Sequence, residues 1–121
     1  KAANKRRNIM GTSSSTVVYD EFNRPILNLH GQHDGYFEGH GIELVDFLKD
    51  KKIVNGINTK DGFNGIECAA ASIVAHFKTG IGDYYIHHPN IINGDYIYEV
   101  YEENNRIVVD MTHRFKTTRI L

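Results

Sequence analysis

The hydrophobic pattern of this chain changes its period twice along the sequence. Residues 17–29 contain short aliphatic runs typical of strands, and Pro25 opens the second run. Residues 41–53 and 64–80 repeat their apolar side chains at helical spacing instead. From Asp83 onwards the chain returns to the tyrosine, isoleucine and valine alternation of strands. Helices enclosed by two groups of strands are typical of the α+β class.

We therefore predict a single α+β domain over residues 16–121, with the order β-β-α-α-β-β-β. Its sheet is expected to be mainly antiparallel and packed with two helices, and the total of 121 residues suits one domain. Asn64 followed by Glu67 predicts a capping box at the second helix. The turn residues 103–105 predict a hairpin between the last two strands, which residues 116–121 extend.

Residues 1–15 are predicted to form a flexible basic arm, with the polar segment 11–16 as its linker. The arm contains Lys5, Arg6 and Arg7, which are candidates for contact with nucleic acid. Such contact is expected to be weak because the arm has few charges, and a solvated tail is the alternative.

Cysteine content and hydropathy indicate the compartment. Cys68 is the single cysteine and cannot form an internal disulfide, so a reducing, intracellular location is expected. No apolar run approaches the roughly 20 residues that span a bilayer, and no signal-peptide pattern is present. We expect a soluble domain without a membrane partner.

The segment HGQHDGYFEGHG, residues 30–41, concentrates groups that could bind a metal. His30, His33, Asp34 and His40 are competent ligands for zinc or another divalent ion. The segment contains no H-E-x-x-H motif or cysteine pair, however. We therefore assign no catalytic residue and expect no cofactor. An enzyme or small-ligand binder that uses the histidines and carboxylates of this loop, with or without metal, is kept as the alternative.

Two further interpretations of this loop remain open. Its glycines could give the backbone conformations closed to other residues, with Tyr36 and Phe37 anchoring a purely structural turn. Alternatively, backbone amides just before a helix could bind a phosphate, a nucleotide or an acidic peptide. The candidate ligand-binding residues are Asp34, Gly35, Tyr36, Glu38, Gly39, His40 and Gly41.

The segment DGYFEGHG, followed by DFLKDKKIVNG, resembles a family of small uncharacterised proteins of bacteriophages and large DNA viruses. Their loop reads (H-W-)D-G-Y-P-E-G-x-G, and the resemblance extends over about residues 16–112. The family's histidine, tryptophan and proline correspond to Gln32, His33 and Phe37. The resemblance implies a viral source and a location in the host cytoplasm or the virion.

From these observations we expect a viral accessory or virion-associated protein that is not an enzyme. It would act by binding a protein or an anionic ligand through the glycine-rich loop 31–41. Tyrosines favour a protein interface, and an open sheet edge makes a homodimer a further possibility.

Overall fold

The structure, a computed structural model, describes residues 11–56 and 62–121. This part of the chain combines eight strands with two α-helices, which agrees with the α+β prediction in its coarse form. The elements in chain order are β1 (Ser14–Tyr19), β2 (Pro25–Gly31), one turn of π-helix (Phe37–Gly41), α1 (Ile42–Leu48), β3 (Lys52–Val54), β4 (Gly62–Asn64), α2 (Ile66–Phe77), β5 (Tyr84–Ile86), β6 (Tyr96–Glu103), β7 (Arg106–His113) and β8 (Lys116–Arg119).

The strands form one sheet in the order β4-β3-β7-β6-β1-β2-β5, and β8 also pairs with β7. The pairings β1–β6 and β3–β4 are parallel. The sheet is mixed and strongly curled, so the prediction of a mainly antiparallel sheet is wrong. The parallel β1–β6 pairing joins Ser14 to Tyr96, and a local sequence pattern carries no information about which distant strands will pair.

The core lies between one face of this sheet and the two helices. The alternation predicted for β6 is confirmed, because Tyr98 and Val100 are both fully buried. The helices close the core with fully buried Leu44, Leu48 and Ile73. Burial of these side chains is the main favourable contribution to folding.

The strand β1 begins at Ser14, inside the segments predicted to form the flexible arm and its linker. Ser14, Ser15 and Thr16 have no exposed surface, although the sequence composition suggested a flexible polar segment. A Cβ added to Gly94 would lie 2.5 Å from the backbone nitrogen of Ser15, so the two segments approach each other here at a distance that only glycine allows at position 94. The charged arm residues Lys5, Arg6 and Arg7 lie outside the described residues.

The segment after α1 differs most from the prediction. The helix expected to continue to residue 53 ends at Leu48, and two short strands follow. The predicted capping box is wrong, because the side chain of Asn64 accepts a hydrogen bond from the N–H of Gly56. Gly65, with φ of 86°, precedes α2 instead.

The C-terminal strands confirm one turn and add another. Asn104 and Asn105 have φ values of 54° and 63°, as a tight hairpin requires. Arg114 and Phe115 also have positive φ and turn the chain back as β8, so residues 116–119 pair with β7 rather than extending it.

Cys68 lies on α2 and is partly exposed. None of the helices in residues 11–56 and 62–121 is long and apolar enough to cross a membrane.

Candidate functional site

The glycine loop, residues 31–41, leads from β2 into α1 through the π-helical turn. His40 fixes this turn to the sheet and is only 3% exposed. Its Nε2 lies 2.6 Å from the Oγ1 of Thr16, and its Nδ1 lies 3.0 Å from the hydroxyl of Tyr84. Both ring nitrogens therefore have a hydroxyl partner. Burial lowers the pKa of His40 to about 4, so the ring is neutral at pH 7.

A second buried contact holds the middle of the loop. The hydroxyl of Tyr98 donates a hydrogen bond of 2.7 Å to the carbonyl oxygen of Gly35. Burial raises the pKa of Tyr98 and also raises the pKa of Tyr84 to about 12. Both phenols therefore remain protonated and can serve as hydrogen-bond partners of the loop.

The glycines of this loop allow close approach rather than unusual backbone angles. None of them has a positive φ, whereas Asp34 does, at 55°. A Cβ on Gly35 would lie 2.5 Å from the carbonyl oxygen of Ser13, and one on Gly39 would lie 2.5 Å from the carbonyl oxygen of Asp34. The expectation that the glycines supply conformational freedom is therefore wrong, and the loop depends on tight packing.

Most of the amides expected to face an anion are already used inside the protein. The N–H of Gly35 donates to the carbonyl of Thr12, and that of His40 donates to the carbonyl of Asp34. Gly39 and Gly41 both donate to the carbonyl of Tyr36. The loop therefore satisfies its own backbone at these positions.

The four candidate metal ligands do not share one location. His30 pairs in register with Ser15, whereas His40 contacts the side chain of Thr16. Because neighbouring strand residues point to opposite faces, His30 and His40 lie on opposite sides of the sheet. His30 stacks on His87 with 4.2 Å between the ring centroids. Burial, followed by the charge of His87, lowers the pKa of His30.

The remaining two candidate ligands are exposed. His33 and Asp34 lie on the outer side of the loop, where the hydroxyl of Tyr36 is 3.4 Å from the carboxylate of Asp34. Among residues 11–56 and 62–121, no group of three or more histidine, cysteine or acidic side chains is arranged to hold a metal ion.

The loop presents an apolar and acidic surface to solvent. Tyr36 is 37% exposed and Ile42, at the start of α1, is 40% exposed. Asp34, Glu38 and Glu43, which flank these two residues in the sequence, are also exposed. The carboxylate of Glu43 lies 3.2 Å from the Nε2 of His76. The surface therefore offers negative charge beside apolar area.

The residues that fix the loop were not recognisable from the sequence. The composition of residues 11–16 indicates a linker, and the pattern around Tyr84 and Tyr98 indicates strands without indicating what their hydroxyls contact. The alternation of β6 did place Tyr98 on the buried face, but the partner of its hydroxyl depends on tertiary structure.

Comparison with protein-family models, curated proteins and solved structures gives no significant match.

Proposed function

We propose that this protein is a non-enzymatic binding domain that docks another protein through the glycine loop and the first turn of α1. The observation that carries the proposal is a loop held by buried hydrogen bonds that exposes Tyr36, Ile42 and the acidic residues Asp34 and Glu38. Aromatic residues are enriched at protein interfaces, where they supply area at a low cost in conformational entropy.

The charge of this surface selects the kind of partner. The exposed side chains of Asp34 and Glu38 repel an anionic ligand, and most of the backbone amides of the loop already donate hydrogen bonds within the protein. A partner segment that combines apolar side chains with lysine or arginine complements both properties. A protein partner is therefore favoured over the anionic ligand that the glycine pattern suggested.

The biological setting is proposed from the sequence resemblance alone. We infer a viral accessory or virion-associated role, in the host cytoplasm or the particle. Mass spectrometry of purified particles and of infected-cell extracts tests this inference. Absence of the protein from both samples would contradict it.

Selection from a displayed peptide library against the immobilised full chain tests the docking surface. We expect the enriched peptides to combine apolar residues with lysine or arginine. Tyr36→Ala and Glu38→Lys should each weaken binding about tenfold or more, as loss of a contact at the centre of an interface does.

Phe22→Ala is the matched control, because Phe22 is 69% exposed in the turn between β1 and β2, away from the loop. Peptides that bind the Tyr36→Ala and wild-type chains equally would contradict the proposed surface. Sedimentation of the wild-type chain addresses a second copy as the partner. A dimer that Tyr36→Ala dissociates would assign this surface to self-association.

A further inference from the structure

A basic cleft lies at the other end of α1, between the end of the helix and the β6–β7 hairpin. Its volume is about 580 Å³, which is within the range of small-molecule sites. Five cationic residues line the cleft: Lys49, Lys51, Lys52, Arg106 and Arg119. Two acidic residues, Asp50 and Glu103, line it as well. The cleft therefore has an excess of positive charge, although the chain as a whole has a net charge of -1.

Three of these cations already have partners. Lys49 pairs with the carboxylate of Asp46, and Lys51 donates a hydrogen bond to the carbonyl of Phe47. Arg119 lies 3.4 Å from Asp110 and 3.6 Å from Glu103. Glu103, an acidic residue of the cleft, is therefore engaged with Arg119.

The two remaining cations directly oppose each other. Lys52 and Arg106 are Cα partners in the antiparallel β3–β7 pairing, and both are exposed. Like charges directly opposite each other on paired strands destabilise a sheet. Within the described ranges, neither of them forms an ion pair. An anion bound between the two side chains would remove this repulsion.

We propose that the cleft binds a small polyphosphate, either inorganic or the phosphate chain of a nucleotide. Lysine and arginine donate charge-assisted hydrogen bonds to phosphate oxygens, and the excess of cations suits more than one phosphate group. Asp50 and Glu103 interrupt the basic surface, so it lacks the continuous positive track that a nucleic-acid backbone requires. This site is separate from the proposed protein-docking loop, and either can fail without the other.

The test uses calorimetric titration of the full chain with sodium tripolyphosphate at low ionic strength. We expect binding that weakens as salt is added. Arg106→Gln and Lys52→Gln should each weaken binding about tenfold, the effect of losing one charge-assisted hydrogen bond. Parallel titrations with a nucleoside triphosphate and with the unphosphorylated nucleoside distinguish the sources. Tighter binding of the triphosphate than of tripolyphosphate would assign the nucleotide.

Two controls separate the cleft from other positive charges. Lys116→Gln changes a lysine of β8 that pairs with His113, which is about 23 Å along β7 from Arg106, and should leave the affinity within about twofold. The triple variant Lys5→Gln, Arg6→Gln and Arg7→Gln removes three of the four basic side chains of the N-terminal segment and should likewise retain binding.

Lys52→Glu separates binding from folding. This change places opposite charges across the β3–β7 pairing, so it should abolish binding while the melting temperature stays the same or rises. Absence of binding at millimolar tripolyphosphate would overturn the proposal, as would an equal loss in Lys116→Gln. Retained affinity in Arg106→Gln, or a single-stranded oligonucleotide that binds more than about tenfold tighter than tripolyphosphate, would also overturn it.

Discussion

The polar groups at the two ends of α1 differ in burial and in hydrogen bonding. Before the helix, His40 and the carbonyl of Gly35 are buried, and each has a hydrogen-bond partner. After the helix, Lys52 and Arg106 are exposed and oppose each other with like charge. A buried polar group without a hydrogen-bond partner lowers the stability of the fold, whereas an exposed charge is solvated by water and remains accessible to a ligand. The first region is therefore suited to holding shape and the second to electrostatic recognition.

Acid should destabilise the buried side of this comparison most strongly. The pKa of His40 is about 4 in the folded state and about 6.5 in the unfolded state. Between these two values the ring is protonated in the unfolded chain and neutral in the folded chain. The contribution of the neutral His40 ring to the free energy of unfolding is therefore fully present above pH 6.5 and is lost as the pH falls towards 4. The loss reaches about 3 kcal/mol. Urea unfolding at pH values between 7 and 4 measures it.

Two variants assign this pH dependence to one histidine. His40→Gln should flatten the pH dependence between 7 and 5, whereas His33→Gln, at an exposed position, should preserve it. Titration of the His40 ring by NMR with a pKa near 6.5 would contradict its burial in solution.

Gly35→Ala breaks the tight packing of the glycine loop. The new methyl group would lie 2.5 Å from a backbone oxygen in the segment leading into β1, which cannot move aside without disturbing the sheet. We expect a loss of about 2–3 kcal/mol in the free energy of unfolding. The matched control is Gly80→Ala, because a Cβ at Gly80 meets no atom within 4 Å. Equal melting temperatures for the two variants would show that the loop is looser than described.

Tyr98→Phe removes one hydrogen bond and keeps the aromatic ring. The carbonyl oxygen of Gly35 would lose its donor in a buried position, so we expect a loss of about 1–2 kcal/mol. Tyr101→Phe is the control, since Tyr101 is half-exposed and its hydroxyl contacts Asp110 near the surface. Chemical denaturation of both variants should give the larger loss for Tyr98→Phe, and the reverse order would contradict its role as the anchor.

Lys52→Gln gives the smallest effect and has the opposite sign. Removing one of two opposed positive charges should raise the free energy of unfolding by about 0.3 kcal/mol in low salt. The gain should disappear as salt is added. Lys116→Gln provides the comparison, and a gain of the same size there would reflect overall charge rather than this pair.

Local pattern predicted the elements whose side chains alternate strongly. The hairpin of β6 and β7, with its asparagine turn, and the helix α2 follow directly from residue type and spacing. The sequence pattern does not indicate the strands β3 and β4, because each has three residues and begins with a residue that is not apolar, Lys52 or Gly62. Short elements are determined by their pairing partners rather than by their own composition.

The loop was located correctly, but its construction was not predictable. The sequence showed glycines and histidines between a strand and a helix, and the structure places the loop there. The contacts that define it come from Thr16 and Tyr98, which precede and follow it by many residues. The serines of β1 are typical of a linker in the sequence but are buried in the structure, because small side chains suit close packing as well as they suit a flexible segment.

The position of β1 has a consequence for how the chain reaches this structure. β1 pairs with β2 across a short turn, but its other edge pairs with β6, which is synthesised much later. Closing so large a loop costs conformational entropy before the pairing can compensate for it, and folding slows as such non-local contacts accumulate. During translation the edge of β1 that pairs with β6 should therefore remain without a partner until residues 96–100 have emerged from the ribosome.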